Sequence, residues 1–231
     1  MPIAKCRMKD KASWFSIGIW HLAITHSSFL LFTWRAPPLT FTRRMMPIHI
    51  VLVLAVLSAI MMLLERGGLA TTLTLPFKGD VKRETRFVAQ YGQMVCTFFT
   101  AILVWQLDAQ RGLRICMALW SGVIGVTVVG TIAKRLLGRA RPRRENAGKF
   151  LGPSLKHANF RESFPSTHSA SAVAYAAVLA TAYPHGAITF WTLAILCAGL
   201  RYVMDAHWPS DVLGGIALGY LGGIIAWRMF F

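Results

Sequence analysis

An all-α, polytopic membrane bundle with a six-helix core is the fold the sequence predicts, and three observations predict it. The 231-residue chain is 55% hydrophobic and only 15% charged, with a mean hydropathy of +0.50, against about 25% charged for a typical soluble domain. Six runs approach the roughly 20 apolar residues needed to cross about 30 Å of hydrocarbon. Small residues recur at four-residue spacing, the pattern by which helices pack closely inside a bilayer. So apolar a chain excludes disorder. The formal charge of +16, from 25 Lys and Arg against 9 Asp and Glu, would suit a nucleic-acid binder only with a polar surface that this sequence lacks.

Residues 1–46 form a basic N-terminal segment ahead of the six-helix domain at 47–231. Within that segment 13–34 is fairly apolar but contains His21 and His26, and Pro37-Pro38 end the run. It reads either as an extra N-terminal helix or as an over-called start, with translation beginning near Met45 or Met46. It lacks the small-residue cleavage site of a secretory signal. The spans then follow in order. Residues 47–64 are the cleanest, 88–107 are weakened by Gln90, Gln93 and Gln106, and 115–133 are strongly apolar. Residues 166–183 are rich in Ser and Ala, 186–203 carry Arg201 near their end, and 210–227 complete the set. Gly215, Gly219 and Gly223 make one small-residue stripe, and Ser166, Ala170 and Ala174 make another. Cys6, Cys96, Cys116 and Cys197 show no metal or disulfide spacing and read as small buried hydrophobes.

Ionisable residues at the ends of membrane helices are costly, which makes them functional candidates. Here they form three groups: Lys134 to Pro142 after the third span, Phe164 to His168 opening the fourth, and Arg201 to Asp211 joining the fifth to the sixth. Alternating passage places all three on one side of the membrane. Together they offer the cations Lys134, Arg141 and Arg201, the imidazoles His168 and His207, the carboxylate Asp211 and a helix N-terminus. That inventory suits a tetrahedral dianion such as a phosphate monoester. With Pro209 in a first helical turn, His207 and Asp211 four residues apart would share a helix face. Asp211 could then accept from one ring nitrogen and free the other, leaving His207 as a nucleophile or a base, with His168 placed as an acid. Such a set points to phosphoryl transfer without a metal or other cofactor. Taken singly the groups read more plainly. The basic run would be a lipid-headgroup patch, Asp205 a charge partner for Arg201, and His49 and His185 structural residues.

Lys134-x6-Arg141-Pro142, Pro165-Ser166-x-His168 and Arg201-x5-His207-x3-Asp211 resemble the three signature motifs of the type 2 phosphatidic acid phosphatase family, over about residues 47–230. Members are membrane lipid phosphatases, and the vanadium haloperoxidases are soluble relatives. The resemblance implies that His207 forms a phosphohistidine, oriented by Asp211. It implies that His168 protonates the leaving alkoxide and then activates water. Lys134, Arg141 and Arg201 would clamp the phosphate oxygens, helped by Ser166, Thr167 and nearby backbone N–H groups. Two positions depart from the family pattern: Thr167 stands where Gly is usual and Leu200 where Ser is usual. Thr167 brings a Cβ to a backbone meant to lie close to phosphate.

The implied substrate is a lipid phosphate or lipid diphosphate and the implied partner is the membrane, with no nucleic acid. The family's catalytic face looks away from the cytoplasm, here the extracytoplasmic side of a bacterial inner membrane. Charge counting does not decide this. The motif side holds 15 Lys and Arg against 10, and 12 against 10 without the three phosphate ligands. Two other readings stay open: a phosphotransferase using the same intermediate, and a non-catalytic protein that binds or transports anionic lipid headgroups. Residues 134–163 hold nine Lys and Arg against two Glu, and 1–46 hold seven against one Asp. Nearly half the excess charge therefore sits in one loop beside the candidate site, as an electropositive mouth for anionic headgroups.

Overall fold

The computed structural model describes residues 48–231 apart from 70, 72, 74, 76, 77 and 157. The basic N-terminal segment, with its proposed extra helix or late start and with Cys6, lies outside the described residues. Among those described there are seven α-helices and no strand, only an isolated antiparallel bridge between Arg139 and Phe150. The helices are α1 His49–Arg66, α2 Gly79–Val88, α3 Met94–Leu107, α4 Gly112–Leu137, α5 Thr167–Ala182, α6 Ala187–Val203 and α7 Pro209–Phe230. Six of them answer to the six spans read from the sequence, and the whole is a polytopic helical bundle.

The arrangement follows from which faces are apolar and which are small. α5 is the central helix, packed against α4, α6 and α7, while α1 lies on α7 and α3 on α4. From Ser169 to Leu179 every residue of α5 is buried. Its Ser and Ala content, weak as a lipid-facing signal, lets three neighbours close around it. The two small-residue stripes meet there. A Cβ on Gly219 would lie 2.9 Å from Ala170 Cα, and one on Gly215 would lie 3.2 Å from Ser169 Cβ. The large exposed side chains sit on the outer helices, such as Leu52, Val56 and Leu63 on α1 and Phe98, Phe99 and Leu103 on α3. In a bilayer these faces meet lipid, where exposure of apolar surface carries no penalty.

Four spans, α1, α4, α7 and α6 with its preceding turn, are long and apolar enough to cross a membrane on their own. The other two are shorter. α3 has 14 residues and α5 has 16, about 21 and 24 Å at 1.5 Å per residue. The predicted span 88–107 begins only at Met94, because 89–93 form a turn in which Gly92 takes φ +71°. A Cβ there would lie 2.6 Å from Ala172 Cα, so the turn presses backbone against α5. Gln90 and Gln93 thus fall outside the helix. The span also loses its first residues because α2, a charged and mostly exposed helix resting on α6, occupies the chain just before it.

α4 runs to Leu137, four residues past the predicted end, and stops at Gly138 in the left-handed region at φ +62°. This carries Lys134 on the last turn. The chain 138–163 then folds back over the helix end through backbone hydrogen bonds: Ala140 N to Lys149 O at 2.9 Å, Leu151 N to Gly138 O at 3.0 Å and Ser163 N to Arg139 O at 3.0 Å. Cations of this loop are partly committed to holding it. Arg135 donates to Leu155 O, Arg161 to Gly152 O, and Arg143 pairs with Asp205 at 2.8 Å. Asp205 therefore takes Arg143 as its charge partner rather than Arg201, because the folded-back loop brings Arg143 over the α6–α7 connection. At the opposite end of the bundle Tyr183 Oη donates to Asp108 at 3.2 Å, joining the α3–α4 and α5–α6 connections. Alternate helix ends thus gather on two sides.

Candidate active site

The start of α7 sets the geometry. Trp208 is its N-cap residue, Pro209 opens the first turn, and Asp211 at the third helical position accepts the Trp208 backbone N–H at 3.0 Å. A carboxylate there satisfies a donor that the helix cannot and faces the positive end of its dipole. His207 therefore precedes the cap. Its backbone is not helical, so the four-residue spacing to Asp211 does not put the two on one helix face. Nδ1 of His207 lies 2.8 Å from the Ser163 carbonyl and 3.8 Å from Asp211 Oδ2. The acceptor predicted to be Asp211 is the Ser163 carbonyl, and Asp211 acts on the ring through space.

A carbonyl can only accept, so Nδ1 carries the proton and the neutral ring keeps its lone pair on Nε2. The ring is 1% exposed. Burial pushes its pKa down to about 4; Asp211 opposes this, and Lys134 and Arg201 add to it. At neutral pH His207 is an uncharged imidazole with one fixed tautomer.

α5 and α7 begin side by side, with Ser166 N donating to Asp211 O at 3.0 Å. Ser166 is the N-cap of α5: its Oγ accepts from Ser169 N at 3.4 Å and shares a hydrogen bond with Ser169 Oγ at 2.9 Å. That hydroxyl is turned into the helix start. Thr167 Oγ1 accepts from Lys134 Nζ at 3.0 Å, so the Thr at the position that departs from the resembled motif tethers the lysine. Its methyl rests over Gly130 of α4, where a Cβ would lie 2.7 Å away.

His168 follows on the same first turn and feels the charges of Arg201, His207, Lys134 and Arg141. All the residues expected at the site thus come together, while His49 and His185 sit at the opposite end of the bundle, beginning α1 and preceding α6. Burial holds the Arg141 guanidinium below its ordinary range, with Asp211 and Glu162 opposing; it remains a cation. The Nε atoms of Arg141 and Arg201 are buried without a hydrogen-bond partner among the described residues. Buried donors left so are costly. Two such donors beside Lys134 and two imidazoles suit a multivalent oxyanion.

Four residues that matter to this geometry were not assigned a role from the sequence. Arg139 is completely buried. Its Nη1 donates to Asp211 Oδ1 at 2.5 Å and to Ser210 Oγ at 2.6 Å, and its Nη2 donates to Glu65 Oε2 at 2.7 Å. Glu65, near the end of α1, also accepts from Ser210 N at 3.1 Å and from Ser210 Oγ at 2.5 Å. Ser163 Oγ donates to Asp211 Oδ2 at 2.5 Å. Glu65 ends an apolar run and so carried the same signal of a costly acid as the motif residues. The Ser163 carbonyl carries none, since every residue has one. Among the described residues no group of three or more His, Cys, Asp and Glu side chains could hold a metal ion.

A family model described as the PAP2 superfamily matches residues 111–231, just over half of the chain. The chain is similar to a lipid A 1-phosphatase of Rhizobium etli, 38% identical over 103 residues that make up 44% of each protein. It is similar to a lipid A 1-phosphatase of Rhizobium johnstonii, 31% identical over 157 residues, 60% of this chain and 64% of that one. The matches thus span about half to two thirds of these relatives. A crystal structure described as a transmembrane PAP2 type phosphatidylglycerolphosphate phosphatase from Bacillus subtilis superposes with a TM-score of 0.51 at 17% identity, covering 78% of this chain and 91% of that one. That likeness is one of fold.

Proposed function

The chain belongs to the PAP2 superfamily, and from that membership we propose that it is an integral-membrane lipid phosphatase. It hydrolyses a phosphate monoester or diphosphate on a lipid through a phosphohistidine, without a metal. The observation that carries this reading is the Ser163 carbonyl on Nδ1 of His207, which leaves Nε2 as the nucleophile beside a cluster of cations. Binding of a headgroup would need the cations but no oriented, neutral imidazole.

The steps follow from the groups present. Lys134, Arg141 and Arg201 hold the phosphate oxygens and offset the charge that spreads over them, which dominates phosphoryl-transfer catalysis. Nε2 of His207 attacks phosphorus, forming a P–N bond as the P–O bond to the lipid breaks. His168, protonated when the anionic phosphate binds beside it, gives its proton to the departing oxygen and becomes neutral. The same imidazole then takes a proton from water, whose oxygen displaces His207 and releases inorganic phosphate. Asp211 supports the cationic ring of the intermediate through space.

The test is phosphate release in detergent with a chelator present, from lipid A 1-phosphate, phosphatidylglycerophosphate, phosphatidate and a polyprenyl diphosphate. The two Rhizobium relatives put lipid A first on that panel. Turnover with chelator that disappears in His207→Ala is expected. No turnover on any substrate, or unchanged turnover in His207→Ala, would refute the reading. We also propose that the site faces away from the cytoplasm in a bacterial inner membrane. Leu155, 92% exposed on the site-side loop, gives the assay: Leu155→Cys should react with an impermeant thiol reagent in intact cells where the wild type does not. Protection there would place the site on the cytoplasmic side.

A further inference from the structure

We infer that Glu65 and Arg139 are positioning residues that hold the nucleophile from outside the phosphate site, an inference that rests on the phosphatase reading above. Neither side chain is among the groups that would clamp phosphate. Both are buried, and they form one chain of contacts ending on the reacting imidazole. Glu65 Oε2 accepts from Arg139 Nη2 at 2.7 Å, and Arg139 Nη1 donates to Asp211 Oδ1 at 2.5 Å. The other oxygen of Asp211 accepts from Ser163 Oγ at 2.5 Å, and the Ser163 carbonyl takes Nδ1 of His207 at 2.8 Å. Arg139 also holds Ser163 through the backbone, its carbonyl accepting Ser163 N at 3.0 Å.

The planar guanidinium is what lets one residue grip both carboxylates. It is further fixed by the rings of Phe150 and Trp208, 5.5 and 5.6 Å from its Cζ. Glu65 belongs to α1, which also places Ser58 Oγ as a donor to Ser210 O at 2.8 Å and Arg66 over the Phe150 ring at 5.1 Å. The first span therefore acts on catalysis through this carboxylate. It fixes Arg139 and the first turn of α7, and those fix the peptide that sets the His207 tautomer and the direction of its lone pair. Such a device affects the attack itself and leaves phosphate binding alone.

The experiment uses the full chain in detergent, with rates expressed per folded molecule from gel filtration and a thermal melt. Arg139→Gln and Glu65→Ala are expected to lower kcat about tenfold, the low end of what losing an outer-shell partner of a functional histidine costs, since Arg139 acts through Ser163 and Glu65 through Arg139. KM and the inhibition constant of inorganic phosphate should stay within about twofold. Glu65→Gln, which keeps one acceptor oxygen, should recover kcat relative to Glu65→Ala. Arg139→Lys, which keeps the charge but not the fork, should fall between wild type and Arg139→Gln. Where Arg139→Gln or Glu65→Ala does not fold, Arg139→Lys and Ser210→Ala are read in their place, with the same split between kcat and KM. An unchanged kcat in folded variants, or a loss that lies in KM and phosphate affinity, overturns the inference while leaving the phosphatase reading intact. A wild-type protein that turns over none of the lipid phosphates overturns both.

Discussion

Gly130→Ala is the substitution whose outcome the packing of Thr167 decides. On a helix, Ala is favoured over Gly by about 1 kcal/mol, so propensity alone makes the change stabilising. The added Cβ, however, would lie 2.7 Å from Thr167 Cγ2 and 3.9 Å from its Cβ, where ordinary carbon contacts are about 3.5–4.0 Å. The methyl cannot swing aside cheaply, because Thr is stiff at χ1 and its Oγ1 is tied to Lys134 at 3.0 Å. Overpacking of this kind costs about 1–3 kcal/mol, which outweighs the helix gain, so a net loss of roughly 1 kcal/mol is expected. Relief by rotating Thr167 would break the lysine tether and weaken phosphate binding as well. The assay is a thermal melt in detergent paired with KM for a lipid phosphate. Two companions make it diagnostic. Thr167→Ser deletes the methyl and keeps the hydroxyl, so Gly130→Ala/Thr167→Ser should melt at or above wild type with KM restored. Gly125→Ala, on the same helix with nothing within 4 Å of the added Cβ, should be neutral or stabilising. A Gly130→Ala protein as stable as Gly125→Ala, or one that Thr167→Ser fails to rescue, would refute the reasoning.

Other outcomes follow from the same contacts. Gly219→Ala puts a methyl 2.9 Å from both Ala170 Cα and Val173 Cβ, between two backbones that cannot separate without opening the bundle; its melting temperature should fall by several degrees. The His207 ring, held near pKa 4 when folded and about 6.5 when unfolded, binds fewer protons in the folded state between those values. Stability is therefore full above about pH 6.5 and falls as pH drops through about 4. Melts across that range should show a smaller slope in His207→Gln, and an identical slope would contradict the burial-driven shift. Arg141→Gln removes a charged donor from the phosphate site and should lower kcat/KM by about tenfold to a hundredfold, with phosphate inhibition weakened in parallel. Steady-state kinetics separates it from the Arg139 variants, where phosphate inhibition should hold.

The site residues were legible where they broke a rule of the membrane. Lys134, Arg201 and His168 are ionisable residues at ends of apolar runs, and alternating passage was enough to gather them on one side. The small-residue stripes were legible for a related reason, since only Gly, Ala and Ser let α5 and α7 approach so closely. The relation of His207 to Asp211 was not legible. The four-residue rule holds only inside a helix, and Asp211 spends its second oxygen capping Trp208, which leaves His207 one residue before the cap. α2 was missed as well, because a short charged helix outside the bilayer has no long apolar run to announce it.

Composition, the six apolar runs and the three spaced motifs together determined a polytopic helical bundle with the ionisable motif residues gathered at one end. Each of those signals is local, carried by residue type and short-range spacing. Tertiary structure decided which acceptor fixes the His207 ring and what holds that acceptor. Ser163 lies 44 residues from His207, and Glu65 lies 74 residues from Arg139. A backbone carbonyl has no residue identity and a buried arginine looks like any other in a basic loop. Their roles exist only once the loop 138–163 has folded back between α1 and α7.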